Sequence, residues 1–550
     1  MGVVDSPAME NGSGNGIPKL SAGKYRRVDV QVEEDERESN ILGANDSGST
    51  KSRKYVIVCA IFASLNSVLL GYDVGVMSGA IIFIQKDLQI TEVQQEILVG
   101  SLSFVSILGS FAGGRTSDAI GRKWTIGLAA IVFQMGAAIM TYSPNFLMLM
   151  IGRLLAGIGI GFGVMIAPVY IAEISPTASR GSFTSFPEIC INIGILLGYV
   201  SNYAFSGLSE HLSWRVMLGV GILPSFFIGC AIFVIPESPR WLVMQKRVDE
   251  ARSVLHKTCN SAAEAEERLA DIEEAAGTSN MAKHEEKGVW QELLHPSAAL
   301  RGMMITGFGI QCFQQISGID ASVYYSPTIF RDAGIGSDSK VLVATVAVGF
   351  TKTMFILVAI FLVDRLGRKP LLYISTIGMT VCLFGLALSL VLLKDDLVPS
   401  KFGIFVAIFA VCGNVAFFSV GLGPICWVLS SEIFPLKVRA QASAVGAVGN
   451  RVCSGLIAMT FLSLTKAISV AGTFFIFSAI AALSVVFVRF FVPETKGKSL
   501  EEIENMFHGG KAWQGSEVEI GDVEHLVTWE NKFSINQDAL GYIREAHQQK

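Results

Sequence analysis

The stretch Asp118-Ala119-Ile120-Gly121-Arg122-Lys123 returns in the second part of the chain as Asp364-Arg365-Leu366-Gly367-Arg368-Lys369. Two more segments repeat in the same order. Glu173-Ile174-Ser175-Pro176, followed by Arg180, returns as Glu432-Ile433-Phe434-Pro435, followed by Arg439. Pro236-Glu237-Ser238 returns as Pro493-Glu494-Thr495. Each copy closes or opens a long apolar run of about 20 residues, enough to carry a helix across about 30 Å of hydrocarbon. The runs fall near 55–79, 95–116, 124–142, 147–172, 183–203 and 214–235, then near 302–325, 340–363, 371–393, 403–430, 440–464 and 471–492. The spacing predicts an all-α membrane protein of twelve transmembrane helices in two pseudo-symmetric six-helix halves. Parallel repeats of this kind place a solute site between the halves, near the midplane.

Composition agrees. Of 550 residues, 51% are apolar and only 16% charged, against about 25% charged in a soluble domain. A net charge of -4 gives no basic face for nucleic acid. The nine cysteines stand singly, with no CxxC pair, and read as small buried hydrophobes rather than disulfides or metal ligands. No nucleophile–base or metal constellation appears, so an enzyme is not expected, nor a cofactor.

Residues 1–54 are polar and read as a disordered cytosolic tail. The halves are expected over 55–236 and 302–494, with a second cytosolic tail over 495–550. Between them, 237–301 is charged, and Val248, Ala251, Val254 and Leu255 share one helical face, so it reads as a solvent-side helical linker. Lys and Arg gather on the linker side, at Arg115, Arg122 and Lys123, at Arg180, at Arg365, Arg368 and Lys369, and at Lys437 and Arg439. The opposite loops are poorer in both. The excess of positive charge predicts that both termini and the linker are cytoplasmic.

The paired Asp-x-x-Gly-Arg-Lys loops, Gly152-Arg153, Pro236-Glu237-Ser238-Pro239-Arg240, Gln314-Gln315-Ile316-Ser317-Gly318 and Gly423-Pro424-Ile425-Cys426-Trp427 together resemble the sugar porter branch of the major facilitator superfamily. Ser185-Phe186-Pro187-Glu188, Gly318-Ile319-Asp320 and Asn450-Arg451 resemble the plant polyol/monosaccharide proton symporters within it. The resemblance implies the major facilitator fold and solute contacts at Gln314, Gln315, Trp427 and Asn450. It also implies a proton-coupling pair, Asp73 with Arg153, with the proton as coupling ion. Glu188, Asp320, Lys352 and Arg451 depart from the pattern of many sugar porters and point to a different solute. The subgroup favours the plasma membrane.

Read for their chemistry, Gln314 and Gln315 each offer donors and an acceptor, which suits hydroxyls and suits interhelical bonding equally. They lie about 100° apart on a helix, so that one can face the cavity and the other the partner half. Trp427 follows Gly423 and Pro424, which break a helix, and its ring serves either as an interfacial anchor or as a stacking platform. Asp73, Arg153, Glu188, Asp320, Lys352 and Arg451 lie well inside predicted spans, where a lone charge costs at least about 2.5–3.5 kcal/mol. They must face one another or a wet cavity. Either they form a structural ion-pair network, or Asp73 with Arg153 is the proton switch and the other four line the solute cavity. Arg115, Glu173, Arg180, Arg365, Glu432 and Arg439 are expected to form a cytoplasmic gate, paired across the seam of the halves in the outward-open state and unpaired on inward opening. The expected function is proton-coupled symport of linear polyols and monosaccharides. An uncoupled facilitator and a non-transporting solute sensor are the alternatives. The partners implied are a small polyhydroxy solute, the proton and lipid, with the chain working as a monomer.

Overall fold

The computed structural model describes residues 22–175, 183, 186–259, 261–274, 292–394, 400–435, 438–496, 498, 502–503 and 506–507. All regular structure among them is helical. The first six spans are carried by α1 (Ala22–Leu88), α2 (Glu92–Ile120), α3 (Arg122–Thr141), α4 (Phe146–Ile174), α5 (Phe186–Phe205) and the pair α6 (Glu210–Val220) and α7 (Ile222–Ala231). The linker opens with α8 (Pro239–Met244) and α9 (Val248–Thr258). The second set comprises α10 (Ala298–Ile316), α11 (Ile319–Tyr324), α12 (Ser326–Asp332), α13 (Asp338–Leu366), α14 (Arg368–Lys394), α15 (Ser400–Val420), α16 (Leu422–Glu432), α17 (Arg439–Ile468) and α18 (Val470–Phe491).

Among the described residues, eleven segments are long and apolar enough to cross a membrane. The first is Ser52–Leu88; its helix begins at Ala22, within the stretch the sequence reads as a disordered tail. The seventh of the twelve predicted spans is not among them, and it is broken into α10, α11 and α12. Gly318 sits in the left-handed region at φ +82°, where a Cβ would meet the Phe477 ring. Pro327 then falls in the first turn of α12, where its missing N–H costs nothing. The tenth span also breaks. The bend lies at Gly421, between α15 and α16, and Pro424 is taken up in the first turn of α16.

The two sets pack alike. α1 lies on α5 as α10 lies on α17, α2 on α4 as α13 on α15, and α3 on α7 as α14 on α18. The sets meet where α2 faces α17 and α5 faces α13. Small residues bring α1 and α5 together: a Cβ on Gly71 or Gly194 would run into the backbone carbonyl of Ile191 or Val68. That close approach buries Asp73, which lies between Gly71 and Gly75. In the linker, Ala251, Val254 and Leu255 of the predicted face pack with Trp241, Leu242, Cys259, Ala265 and Leu269. The small core is tied to the first half by Trp241 Nε1 on Asp118 O (3.1 Å) and Arg268 Nη2 on Ser175 O (3.0 Å).

Candidate functional site

A cavity lined by polar and apolar side chains opens between the halves. Glu188, Gln314, Gln315, Asp320, Lys352, Trp427, Asn450 and Arg451 all line it. Ser103, Ser106, Tyr324, Phe418 and Ser454 line it as well and were not singled out in the sequence. Serines in apolar helices ordinarily bond back to their own helix, so their type carries little signal.

The amides form one connected set within the second half. Gln314 Nε2 donates to the carbonyls of Leu422 (3.2 Å) and Gly423 (2.8 Å), in the first turn of α16. Asn450 Nδ2 donates to Gln314 Oε1 (2.6 Å) and Gln311 Oε1 (3.0 Å), and Gln315 Nε2 donates to Asn450 Oδ1 (3.1 Å). The expectation that one glutamine would face the partner half does not hold. The Leu422 and Gly423 carbonyls and the Asn450 amide draw both glutamines inward. Gln315 Oε1 is buried and accepts no hydrogen bond among the described residues. Trp427 is 40% exposed, so its ring is free on the cavity side.

The charges fall into two groups. Asp73 and Arg153 are both buried and joined by Arg153 Nη1 on Asp73 Oδ2 at 2.5 Å, with Arg153 Nε held by Leu98 O (3.0 Å). Neither lines the cavity. In the second group, the Asp320 carboxylate accepts from the Ser454 hydroxyl and feels the charges of Lys352 and Arg451. Lys352 also feels Glu188, and its ammonium lies over the Phe418 ring, 5.8 Å from the centroid. Tyr324, on the same short helix as Asp320, lines the cavity beside it.

At the linker end the carboxylates are held within each half. Glu173 takes a two-pronged bond from Arg122, 3.0 Å from Nε and 3.2 Å from Nη2, and a third from Ser238 Oγ (2.5 Å). Glu432 takes the equivalent bonds from Arg368 Nη2 (2.8 Å) and Thr495 Oγ1 (2.6 Å). Both carboxylates therefore pair inside their own half, not across the seam. The cause is the bend before α3 and α14: Gly121 and Gly367, at φ +98° and +95°, set Arg122 and Arg368 at the first helical position, against the neighbouring helix end. Glu237 and Glu494 complete the two assemblies. Glu237 accepts the backbone N–H of Arg122 (2.9 Å) and Lys123 (3.1 Å), and Glu494 those of Arg368 (3.0 Å) and Lys369 (2.9 Å). Each places an anion on orphan donors at a helix N-terminus. Burial pushes the Glu237 carboxyl above the usual carboxylate range, against the pull of those donors. Arg115 and Arg365 are exposed, and their side chains make no hydrogen bond or ion pair among the described residues. Arg439 Nε donates to Phe434 O (3.0 Å) in its own segment. Arg180 lies outside the described residues.

At the opposite end the halves are joined. Lys86 pairs with Asp338 (3.1 Å) and Glu92 with Lys466 (2.8 Å). Glu96, only 3% exposed, accepts the backbone N–H and the hydroxyl of Ser463 at 2.7 and 2.6 Å. Nearer the cavity, Ser103 meets Ser454 (2.9 Å), Thr353 Oγ1 donates to Asn192 O (3.1 Å) and Tyr199 Oη to Val323 O (2.7 Å). Glu96 stands at the edge of its predicted span and was not singled out in the sequence.

Comparison with known proteins completes the description. Residues 59–507 match the family model described as "Sugar (and other) transporter". The chain is 64% identical over 531 residues to "Probable polyol transporter 4" of Arabidopsis thaliana, covering 96% of this chain and 99% of that one. It is 51% identical over 478 residues to "Polyol transporter 5" of the same plant, covering 85% and 88%. Among solved structures it is similar to the major facilitator superfamily proton:xylose symporter XylE bound to 6-bromo-6-deoxy-D-glucose. There the TM-score is 0.68 at 27% identity, over 83% of this chain and 100% of that one. The chain therefore belongs to the sugar transporter family of the major facilitator superfamily.

Proposed function

We propose that the protein carries linear polyols of the sorbitol, mannitol and xylitol type, and monosaccharides, together with a proton, by alternating access. The observation that carries this reading is the cavity itself. It gathers three amides, two carboxylates, two cations and an indole between the halves, and leaves the buried Gln315 Oε1 without a donor from the described residues. A polyol offers only hydroxyls, each a donor and an acceptor. Glu188 and Asp320 take donor hydroxyls through charge-assisted bonds, Lys352 and Arg451 give to acceptor oxygens and balance the charge, and Trp427 covers the carbon face. The names of the plant relatives and of the proton:xylose symporter support both solute class and coupling.

In this reading Asp73 takes a proton from the outer side, releases Arg153, and lets the halves 55–236 and 302–494 rock about the solute. The richer positive charge of the linker end supports a cytosolic location for it, for the linker 237–301 and for both tails, 1–54 and 495–550. The chain works as a monomer in the plasma membrane. Glu173 and Glu432 hold the cytoplasmic ends of their own halves rigid. Arg115, Arg180, Arg365 and Arg439 are the residues left to pair across the seam when that end closes.

The test is a panel of labelled sorbitol, mannitol, xylitol, glucose and inositol offered to proteoliposomes with an acidic exterior. Accumulation of a polyol that collapses with a protonophore is expected. Absence of uptake for the whole panel would overturn the proposal.

A further inference from the structure

The hydroxyls of Ser103 and Ser454 do not bond back to their own helices. Ser64, Ser110 and Ser419 each bond the carbonyl four residues back in their own helix, the ordinary resting place for a hydroxyl in an apolar environment. Ser103, on α2, and Ser454, on α17, instead meet each other across the two halves at 2.9 Å. They are only 5% and 3% exposed. Ser454 also donates to Asp320. A hydroxyl has one proton to give. That of Ser454 is used on the carboxylate, so the proton between the two serines comes from Ser103. The chain of bonds therefore runs one way, from Ser103 through Ser454 to Asp320.

We propose that Ser103 and Ser454 are positioning residues of the solute site, and that a solute hydroxyl takes the place of Ser103 when the halves part. The inference rests on the solute reading above and deepens it. Parting the halves at this level removes Ser103 and leaves Ser454 Oγ with an unused acceptor beside Asp320. A polyol hydroxyl has the same valence as the serine it replaces. It donates to Ser454, and the Ser454 bond to Asp320 is kept. The cavity position next to Ser454 thus demands a hydroxyl, since a methylene there would leave a buried acceptor bare. Occupancy and contact between the halves compete for one bond. Ser103 governs how readily the halves separate, and Ser454 governs which solute is held.

Ser454→Ala should raise the apparent KM for the best-transported polyol about five- to tenfold, the size of one hydrogen bond. It should also flatten the difference between that polyol and its monodeoxy analogues. Ser454→Thr should restore both. Ser103→Ala should change the maximal rate with little change in KM, and should add nothing in the Ser454→Ala background, since it acts through Ser454. A wild-type KM and deoxy profile in Ser454→Ala, or additive effects in the double variant, would overturn the relay. A Ser103→Cys/Ser454→Cys chain tests the junction without any solute, through an oxidant-driven disulfide that survives cleavage in the linker. Cross-linking without uptake of any panel solute would break the solute reading and leave the junction standing; no cross-link would break the relay itself.

Discussion

The two ends of the molecule use the same residue types for opposite purposes. At the linker end, Arg122 with Glu173 and Arg368 with Glu432 bind helices of one half to each other, with Glu237 and Glu494 seated on the next helix N-terminus. Among the described residues, none of these bonds crosses to the other half. At the far end, Lys86 with Asp338, Glu92 with Lys466 and Glu96 with Ser463 all cross. One end is built to keep each half rigid; the other holds the halves together in this conformation. The difference teaches that, with the far end closed, the repeated carboxylates of the linker end tie helices within each half. In the proposed orientation the structure is closed to the outside.

Breaking a clamp should have the largest effect. Arg122 and Glu173 are both nearly buried, with side chains 10% exposed, and removing one partner of such a pair costs about 3–5 kcal/mol. Glu173→Gln should lower the melting temperature and folded yield in detergent. Glu432→Gln should do so less, because Arg368 and Glu432 are 14% and 22% exposed. Equal melting temperatures for wild type and Glu173→Gln would show that the clamps do not rigidify the half.

Glu96→Ala should act on the equilibrium between conformations rather than on stability. It removes two bonds to a carboxylate, each worth about 1.5–3 kcal/mol, so external labelling of a cysteine placed in the outer vestibule should rise at least tenfold. Unchanged labelling would mean that the far end is not held by Glu96. Lys86→Ala and Lys466→Ala should shift the same labelling by less than about fivefold, since exposed pairs contribute about 0–1 kcal/mol. High salt should shrink even that difference. A larger or salt-independent effect would reverse the ranking of buried over exposed ties.

Much of this was legible in the sequence, for physical reasons. Charges inside apolar runs are rare enough that Glu188, Asp320, Lys352 and Arg451 named one cavity, and the ordered repeat fixed two halves. What was not legible is which partner each charge takes. The bends at Gly121 and Gly367, not spacing along the chain, hand Glu173 to Arg122 and Glu432 to Arg368. The serines were hidden because a hydroxyl has a default partner in its own helix, and only the packing of α2 on α17 overrides it. Glu96 was hidden by lying at the margin of its span.

The measurement that bears most directly on the central claim compares wild type with Asp73→Asn in one proteoliposome preparation. Two quantities are read: accumulation of labelled sorbitol driven by an acidic exterior, and exchange of labelled for unlabelled sorbitol at equal pH. Arg153 has its bond to Asp73 in the first half, away from the cavity residues. The account therefore predicts that Asp73→Asn abolishes accumulation while exchange survives in part. An Asp73→Asn protein that still concentrates sorbitol would contradict it.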